Sequence, residues 1–251
     1  MNKVIETKKL CKTFSNGGIQ QHILKNVDIE IYEGDFTVIM GASGAGKSTL
    51  LYALSGMDKP TLGEIHFCGE EISKYTDDKL AVFRRKNCGF IFQQIYMMDK
   101  MSLLDNVLAS GLLVANNKKE VTKRAVELFN KVNIEEITYR KFASQISGGE
   151  AQRAGIVRGL INKPSVLFAD EPTGALNSSN SAAVLDVFTD FNQEGQSIVM
   201  VTHDLRCALR GNRIIYLKDG QVAGECLLEP YKPKDVARRT KLDDFLKEMG
   251  Y

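Results

Sequence analysis

Three short runs, FTVIM (36–40), SVLFA (165–169) and SIVMV (197–201), are almost continuously apolar instead of alternating. That pattern predicts strands buried on both faces, as in a parallel sheet covered by helices. Helical periodicity follows each run, over 47–54, 181–192 and 205–210, which gives the strand–helix alternation of an α/β fold. Ahead of the first run, VDIEIYEGDF sets Val27, Ile29 and Ile31 against Asp28, Glu30 and Tyr32 and then turns at Glu-Gly-Asp. It predicts an antiparallel hairpin with one wet face, part of a side sheet. RIIYLKDGQV predicts a closing hairpin that turns at Asp219-Gly220.

Between Met101 and Val132 the period becomes helical and is punctuated by NNKK, so about 94–158 is expected to be a mainly helical insertion. The tail starts with two prolines and ends in a stripe of Leu242, Phe245, Leu246 and Met249, spaced for one helix face. Packing on its own domain is the favoured reading, with a partner-binding helix as the alternative.

Composition narrows the classes. Lys and Arg total 33 against 31 Asp and Glu, a formal net charge of +2, so no global field draws the chain to nucleic acid or an anionic membrane. No nucleic-acid partner is expected. Five widely spaced cysteines without a C-x-x-C pair fit neither a disulfide framework nor a zinc site. MNKVIETKKL lacks the apolar stretch of a signal peptide, and runs such as GLLVA fall far below the roughly 18 residues that span a bilayer. The expected location is cytoplasmic, with any membrane role exercised through a partner.

Four motifs carry chemistry. GASGAGKST, Gly41 to Thr49, fits G-x-x-x-x-G-K-[ST] between a buried strand and a helix. Its residues Gly41, Ala42, Ser43, Gly44, Ala45, Gly46, Lys47, Ser48 and Thr49 form a candidate nest for a triphosphate, with Lys47 reaching the β/γ oxygens and Ser48 ligating Mg²⁺. VLFADEPTG places Asp170 and Glu171 at the carboxyl edge of a strand, where open α/β sheets bind ligands. Asp170 is the candidate Mg²⁺ holder and Glu171 the candidate base for the attacking water. VMVTHD delivers His203 to the same kind of edge, as a candidate γ-phosphate sensor. SQISGGEAQR sets Ser147, Gly148, Gly149 and Glu150 at a helix start, a second candidate anion site.

These motifs, in this order and with these separations, resemble the ATP-binding subunit of an ABC transporter from about residue 3 to 228. FRRKNCGFIFQQ and FADEPTGALN are similar to the subgroup that serves lipoprotein release, macrolide efflux and bacitracin-type peptide resistance. The resemblance implies a P-loop NTPase core with a mainly parallel sheet, an antiparallel β side sheet and a helical subdomain. The core is expected at about 1–93 and 159–228, the helical subdomain at about 94–158, and an extension at 229–251. It also implies ATP and Mg²⁺ as cofactors, Gln93 (with Gln94 as the lesser choice) as the hinge glutamine that touches Mg²⁺, and Phe14 as the aromatic on adenine. By the same resemblance two copies meet head to tail, Ser147, Gly148 and Gly149 of one contacting the γ-phosphate held by the other, with Glu150 of the same signature bringing a negative charge near the nucleotide. The stretch from Asp77 to Arg85 and the helical insertion would receive a transmembrane permease.

The chain departs from the family pattern at Ile146 and Glu150, where Leu and Gln are usual, and at Asn177, where an aspartate usually helps couple the two sites. The implied function is ATP hydrolysis that drives a permease from the inner membrane face, exporting or extracting peptides, lipoproteins or hydrophobic antibiotics. Mechanical signalling, peptide sensing and a non-transport ABC ATPase are the alternatives.

Overall fold

The structure is a computed structural model that describes residues 2–251. The chain opens with β1 (Lys3–Asn16), β2 (Ile19–Val27), β3 (Glu30–Tyr32), β4 (Phe36–Met40) and α1 (Lys47–Leu54). It continues through β5 (Leu62–Phe67), β6 (Glu70–Glu71), α2 (Asp77–Asn87) and β7 (Cys88–Phe92). The helices α3 (Leu103–Gly111), α4 (Lys118–Lys131), α5 (Glu136–Tyr139) and α6 (Gly148–Leu160) precede β8 (Val166–Asp170) and α7 (Ser178–Gln193). The remaining elements are β9 (Ser197–Val201), α8 (Leu205–Ala208), β10 (Arg213–Lys218), β11 (Gln221–Leu227) and α9 (Val236–Met249). Two compact units emerge, residues 1–81 with 192–251 and residues 82–191.

In the first unit β2, β1, β5 and β6 form an antiparallel sheet in that order, with β3 also on β1. A second sheet runs β11-β10-β4-β9, in which β10, β4 and β9 are parallel and β11 is antiparallel. The run FTVIM is buried at all five positions and so is SIVMV, as two-sided coverage demands. The turn at 219–220 joins β10 to β11, and both residues have positive φ (51° and 79°), the backbone of a type I′ hairpin.

One expected hairpin is absent. The alternation of Val27, Ile29 and Ile31 is observed as buried positions, yet β3 pairs antiparallel with β1 and β4 joins the other sheet between β9 and β10. The physical reason lies in the burial patterns: Glu30–Tyr32 is fully buried at its middle position only, whereas Phe36–Met40, apolar at every position but Thr37, is buried throughout and must be covered twice. Asp35 fixes the crossing, because its carboxylate accepts from Asn212 (2.8 Å) and Arg213 (3.2 Å) and its carbonyl accepts from the Ile198 amide (2.9 Å).

The tail packs on its own unit. Leu242 and Leu246 are buried, and the far end of α9 lies against β11 at Gly224, where an added Cβ would come within 2.8 Å of the Met249 sulfur.

In the second unit β7 and β8 are a parallel pair with Cys88 opposite Val166 and Phe92 opposite Asp170. Helices α3 to α6 occupy the stretch expected to be helical. Ser102 and Asn117 cap α3 and α4, and buried Asn106 donates to the carbonyls of Met98, Met101 and Ser102. Arg124 satisfies the last carbonyls of α6 at Leu160 and Ile161, groups that a helix leaves without partners.

Candidate functional site

In the first unit, β4 and β9 run side by side with Ile39 opposite Val201, so both chains leave the sheet at one edge. Met40 passes into Gly41, and Val201 passes into Thr202 and His203. The Thr202 amide donates to Ile39 O (3.2 Å), which ties the two exits together. Gly41 lies hard against β10: a Cβ there would come within 2.1 Å of the Leu217 carbonyl oxygen. Ala42, Ser43 and Gly44 are exposed, Ala45 is buried, and Gly46 (φ 98°) is the N-cap of α1.

That helix start has no side-chain cap and no acidic residue in its first turn. Its amide donors and the positive end of the helix dipole therefore favour an anion. Lys47 arches back over the loop, and its ammonium donates to the carbonyls of Gly41 and Ala42, both at 2.9 Å. Ser48 and Thr49 follow as the second and third helical residues, half-buried.

His203 is exposed in the turn that follows β9. The Thr202 hydroxyl accepts from the Asp204 amide (2.9 Å), and the Asp204 carboxylate caps α8 by accepting from the Arg206 amide (2.8 Å). Partial burial would raise the Asp204 carboxyl, but the hydrogen bonds from Arg206 outweigh it and hold the group below the usual aspartate value. Phe14 is 46% exposed on β1, with the Lys12 ammonium 4.9 Å from its ring centroid. A ring so placed is an open face, unlike a core phenylalanine.

The second unit carries a matching strand edge. Because Phe92 is opposite Asp170, Gln93 and Glu171 step off neighbouring strand ends. Gly174 lets Gln93 come close, since a Cβ at 174 would meet the Gln93 amide nitrogen at 2.8 Å. Arg158 anchors the chain beyond Gln94 by donating to the carbonyls of Ile95 (2.6 Å) and Tyr96 (2.7 Å); burial lowers its guanidinium from the ordinary value. Glu171 sits at φ 46°, a left-handed conformation that a non-glycine residue adopts at a cost of about 1–3 kcal/mol. Its carbonyl accepts from the Gly174 amide at 3.0 Å and closes the turn.

At the start of α6, Ser147 and Glu150 form a reciprocal capping box. The Ser147 hydroxyl accepts from the Glu150 amide (3.2 Å), while the Glu150 carboxylate accepts from the Ser147 amide (2.8 Å) and the Ser147 hydroxyl (2.8 Å). These bonds, the backbone one first, hold the Glu150 carboxyl below its ordinary 4.5. Gly149 has an internal reason to be glycine, because a Cβ there would fall 2.8 Å from Asn180. Gly148 has none so strict: its nearest neighbour, Leu176, would be 3.4 Å away. Asn177 caps α7, its side-chain oxygen accepting from the Asn180 amide (2.9 Å) and the Ser179 hydroxyl (3.0 Å).

Motif spacing did not reveal Arg158 or Gly174, which bear on the stretch 93–96 after β7. A signal was present for Gly174 in the P-T-G that follows Glu171, a turn sequence. Among the described residues no helix is long and apolar enough to cross a membrane.

The profile of the ABC transporter family matches residues 24–174. The chain is 39% identical over 219 residues to the ABC transporter ATP-binding protein MJ1508 of Methanocaldococcus jannaschii, covering 87% of this chain and 97% of that protein. It is 41% identical over 203 residues to the lipoprotein-releasing system ATP-binding protein LolD of Aquifex aeolicus, 81% and 90% of the two chains. It is also 40% identical over 219 residues to the macrolide export ATP-binding/permease protein MacB of Wolinella succinogenes, but spans only 34% of that longer protein. Among solved structures, the dimeric post-hydrolysis state of the cassette MJ0796 bound to ADP and Pi superposes with a TM-score of 0.83 at 38% identity, covering 90% of this chain and all of that one.

Proposed function

The chain belongs to the ABC transporter family, and from that premise we propose that it is the ATP-hydrolysing subunit of a transporter, working as a head-to-tail homodimer on a transmembrane permease. The observation that carries the reading is the shared strand edge of the first unit, where one buried strand ends in the bare-ended phosphate loop and its parallel neighbour ends in His203.

In this reading the amides of 41–49 and the Lys47 ammonium bind the phosphates, and Phe14 offers its ring to the adenine. The Ser48 hydroxyl, the Gln93 amide oxygen and the Asp170 carboxylate are hard oxygen donors of the kind Mg²⁺ takes together with phosphate and water. Among the described residues no cluster of three His, Cys, Asp or Glu offers a rival metal cage. Bound Mg²⁺ would supply neutralisation of charge on the β and γ oxygens. Glu171 takes the proton of the attacking water, and His203 donates to the γ-phosphate oxygens.

Ser147, Gly148 and Gly149 of the second copy complete the contact with the γ-phosphate, with Glu150 of the same signature close by, and Asn177 contributes to coupling between the two sites. Likeness to lipoprotein-releasing and macrolide-exporting proteins supports export or extraction of peptides, lipoproteins or hydrophobic antibiotics. The subunit would then be attached peripherally at the cytoplasmic face of the membrane.

The test mixes two inert variants, Lys47→Ala and Ser147→Arg. Hybrid pairs regain one intact site and hydrolyse ATP; hybrids that assemble and stay inactive overturn the head-to-tail arrangement.

A further inference from the structure

The last helix is fastened at both ends to the segment that follows β9. At its start Asp235 caps α9 by accepting from the Arg238 amide (3.0 Å). The Arg238 side chain is buried and donates to three backbone carbonyls, those of Leu209, Gly211 and Glu229. At its end Gly250 turns left-handed (φ 81°), the Tyr251 amide returns to the Leu246 carbonyl (3.0 Å), and the Tyr251 hydroxyl donates to the carbonyl of His203 at 2.5 Å. One rigid helix thus holds both limits of the segment 203–211, in which α8 is a single turn.

The neighbouring bonds explain why that carbonyl matters. On the N-terminal side of His203 the chain is held by the Thr202 amide on Ile39 O, and beyond it by the Asp204 amide on the Thr202 hydroxyl. The His203 carbonyl lies in the same peptide plane as the Asp204 amide, so the Tyr251 hydroxyl braces that plane from its oxygen side while Thr202 holds its amide side, and the two together set the backbone from which the exposed His203 side chain is launched. Tyr251 itself is 54% exposed, so its burial adds little to the core. Its hydroxyl is placed for orientation.

We propose that Tyr251 is a positioning residue for ATP hydrolysis, acting through the backbone of His203, and that α9 is the splint that delivers it. The proposal rests on the ATPase reading above. One net hydrogen bond sets the expected effect at about two- to tenfold in rate.

The experiment uses the purified full chain and steady-state hydrolysis of Mg-ATP, followed by phosphate release. Tyr251→Phe should lower kcat about two- to tenfold, with KM and the thermal midpoint unchanged. In a His203→Ala background the same change should have no further effect, because residues that act as one unit are non-additive. Wild-type kcat in Tyr251→Phe, an equal fractional loss in both backgrounds, or a loss accompanied by a raised KM or lower midpoint overturns the positioning role while leaving the ATPase reading intact. A wild-type chain that does not hydrolyse Mg-ATP removes that reading, and this inference with it.

Discussion

The helices α1 and α6 begin alike and are finished differently. Each has glycine at its very start, Gly46 as the N-cap of α1 and Gly148 and Gly149 as the first residues of α6, but the third helical residue is Thr49 in α1 and Glu150 in α6. The first start has no acid and no side-chain cap; the second has folded its own carboxylate onto the Ser147 amide and hydroxyl. Both geometries suit phosphate, yet only the first is open to it as folded. On the function proposed above, a γ-phosphate arriving at α6 would have to displace, or share donors with, a carboxylate of its own charge sign. Under that proposal the difference would separate a site that binds nucleotide by itself from one that joins late, and Glu150 would restrain closure.

Several substitutions would test that contrast. Glu171→Gln should cut turnover about 10²- to 10⁴-fold with ATP binding preserved, the usual weight of a general base; wild-type turnover would remove Glu171 from the mechanism. Lys47→Ala should lower turnover by about 10²- to 10³-fold, comparable to loss of one charge-stabilising donor, read by phosphate release. Thr49→Glu would give α1 the carboxylate that α6 has. A like charge several ångströms from the phosphates is expected to weaken ATP binding by about 10- to 100-fold, measured by titration with a fluorescent nucleotide; unchanged affinity would show that the bare start is unimportant.

Glu150→Gln, which keeps the shape and removes the charge, should tighten ATP-dependent self-association by about three- to tenfold, seen by sedimentation, and no change would dissolve the contrast. Ser147→Ala should cost about 1 kcal/mol of stability through the lost cap. The smallest effect is on acid stability. Because the Glu150 carboxyl is held below its ordinary 4.5 in the fold, its contribution is present above that pH and is lost as pH falls through the lowered folded value. Glu150→Gln should flatten that part of a pH–stability profile.

The sequence displayed some of this architecture and hid the rest for identifiable reasons. Nearly continuous apolar runs marked β4, β8 and β9, since two-sided burial favours apolar residues at successive positions and leaves only isolated exceptions such as Thr37 and Ser197. The long strand β1 gave no such sign. Ile5 and Thr7 are buried, then Leu10 and Lys12, so the inward phase slips around Lys9, which has φ 47° and sits at a register shift. A bulge of this kind breaks alternation. Alternation in 27–32 marks the buried face but carries no information about the partner, so it cannot distinguish β1 from β4 as the neighbour of β3.

The places of the 41–49 loop and of His203 at the ends of two buried strands were legible because each follows directly on an apolar run. The left-handed Glu171, the approach of Gly174 to Gln93 and the hold of Tyr251 on His203 were not, since each depends on backbone conformation or on residues far apart in the chain.

The three carbonyls gathered by Arg238 also bear on how short this protein can be made. A chain trimmed after Leu228 would match the stretch that resembles the family and would still contain every motif, but the acceptors at Leu209 and Gly211 would lose their guanidinium donor. Such a minimal cassette should be prone to proteolysis between α8 and β10, and a second molecule supplying residues 229–251 as a free peptide could protect it.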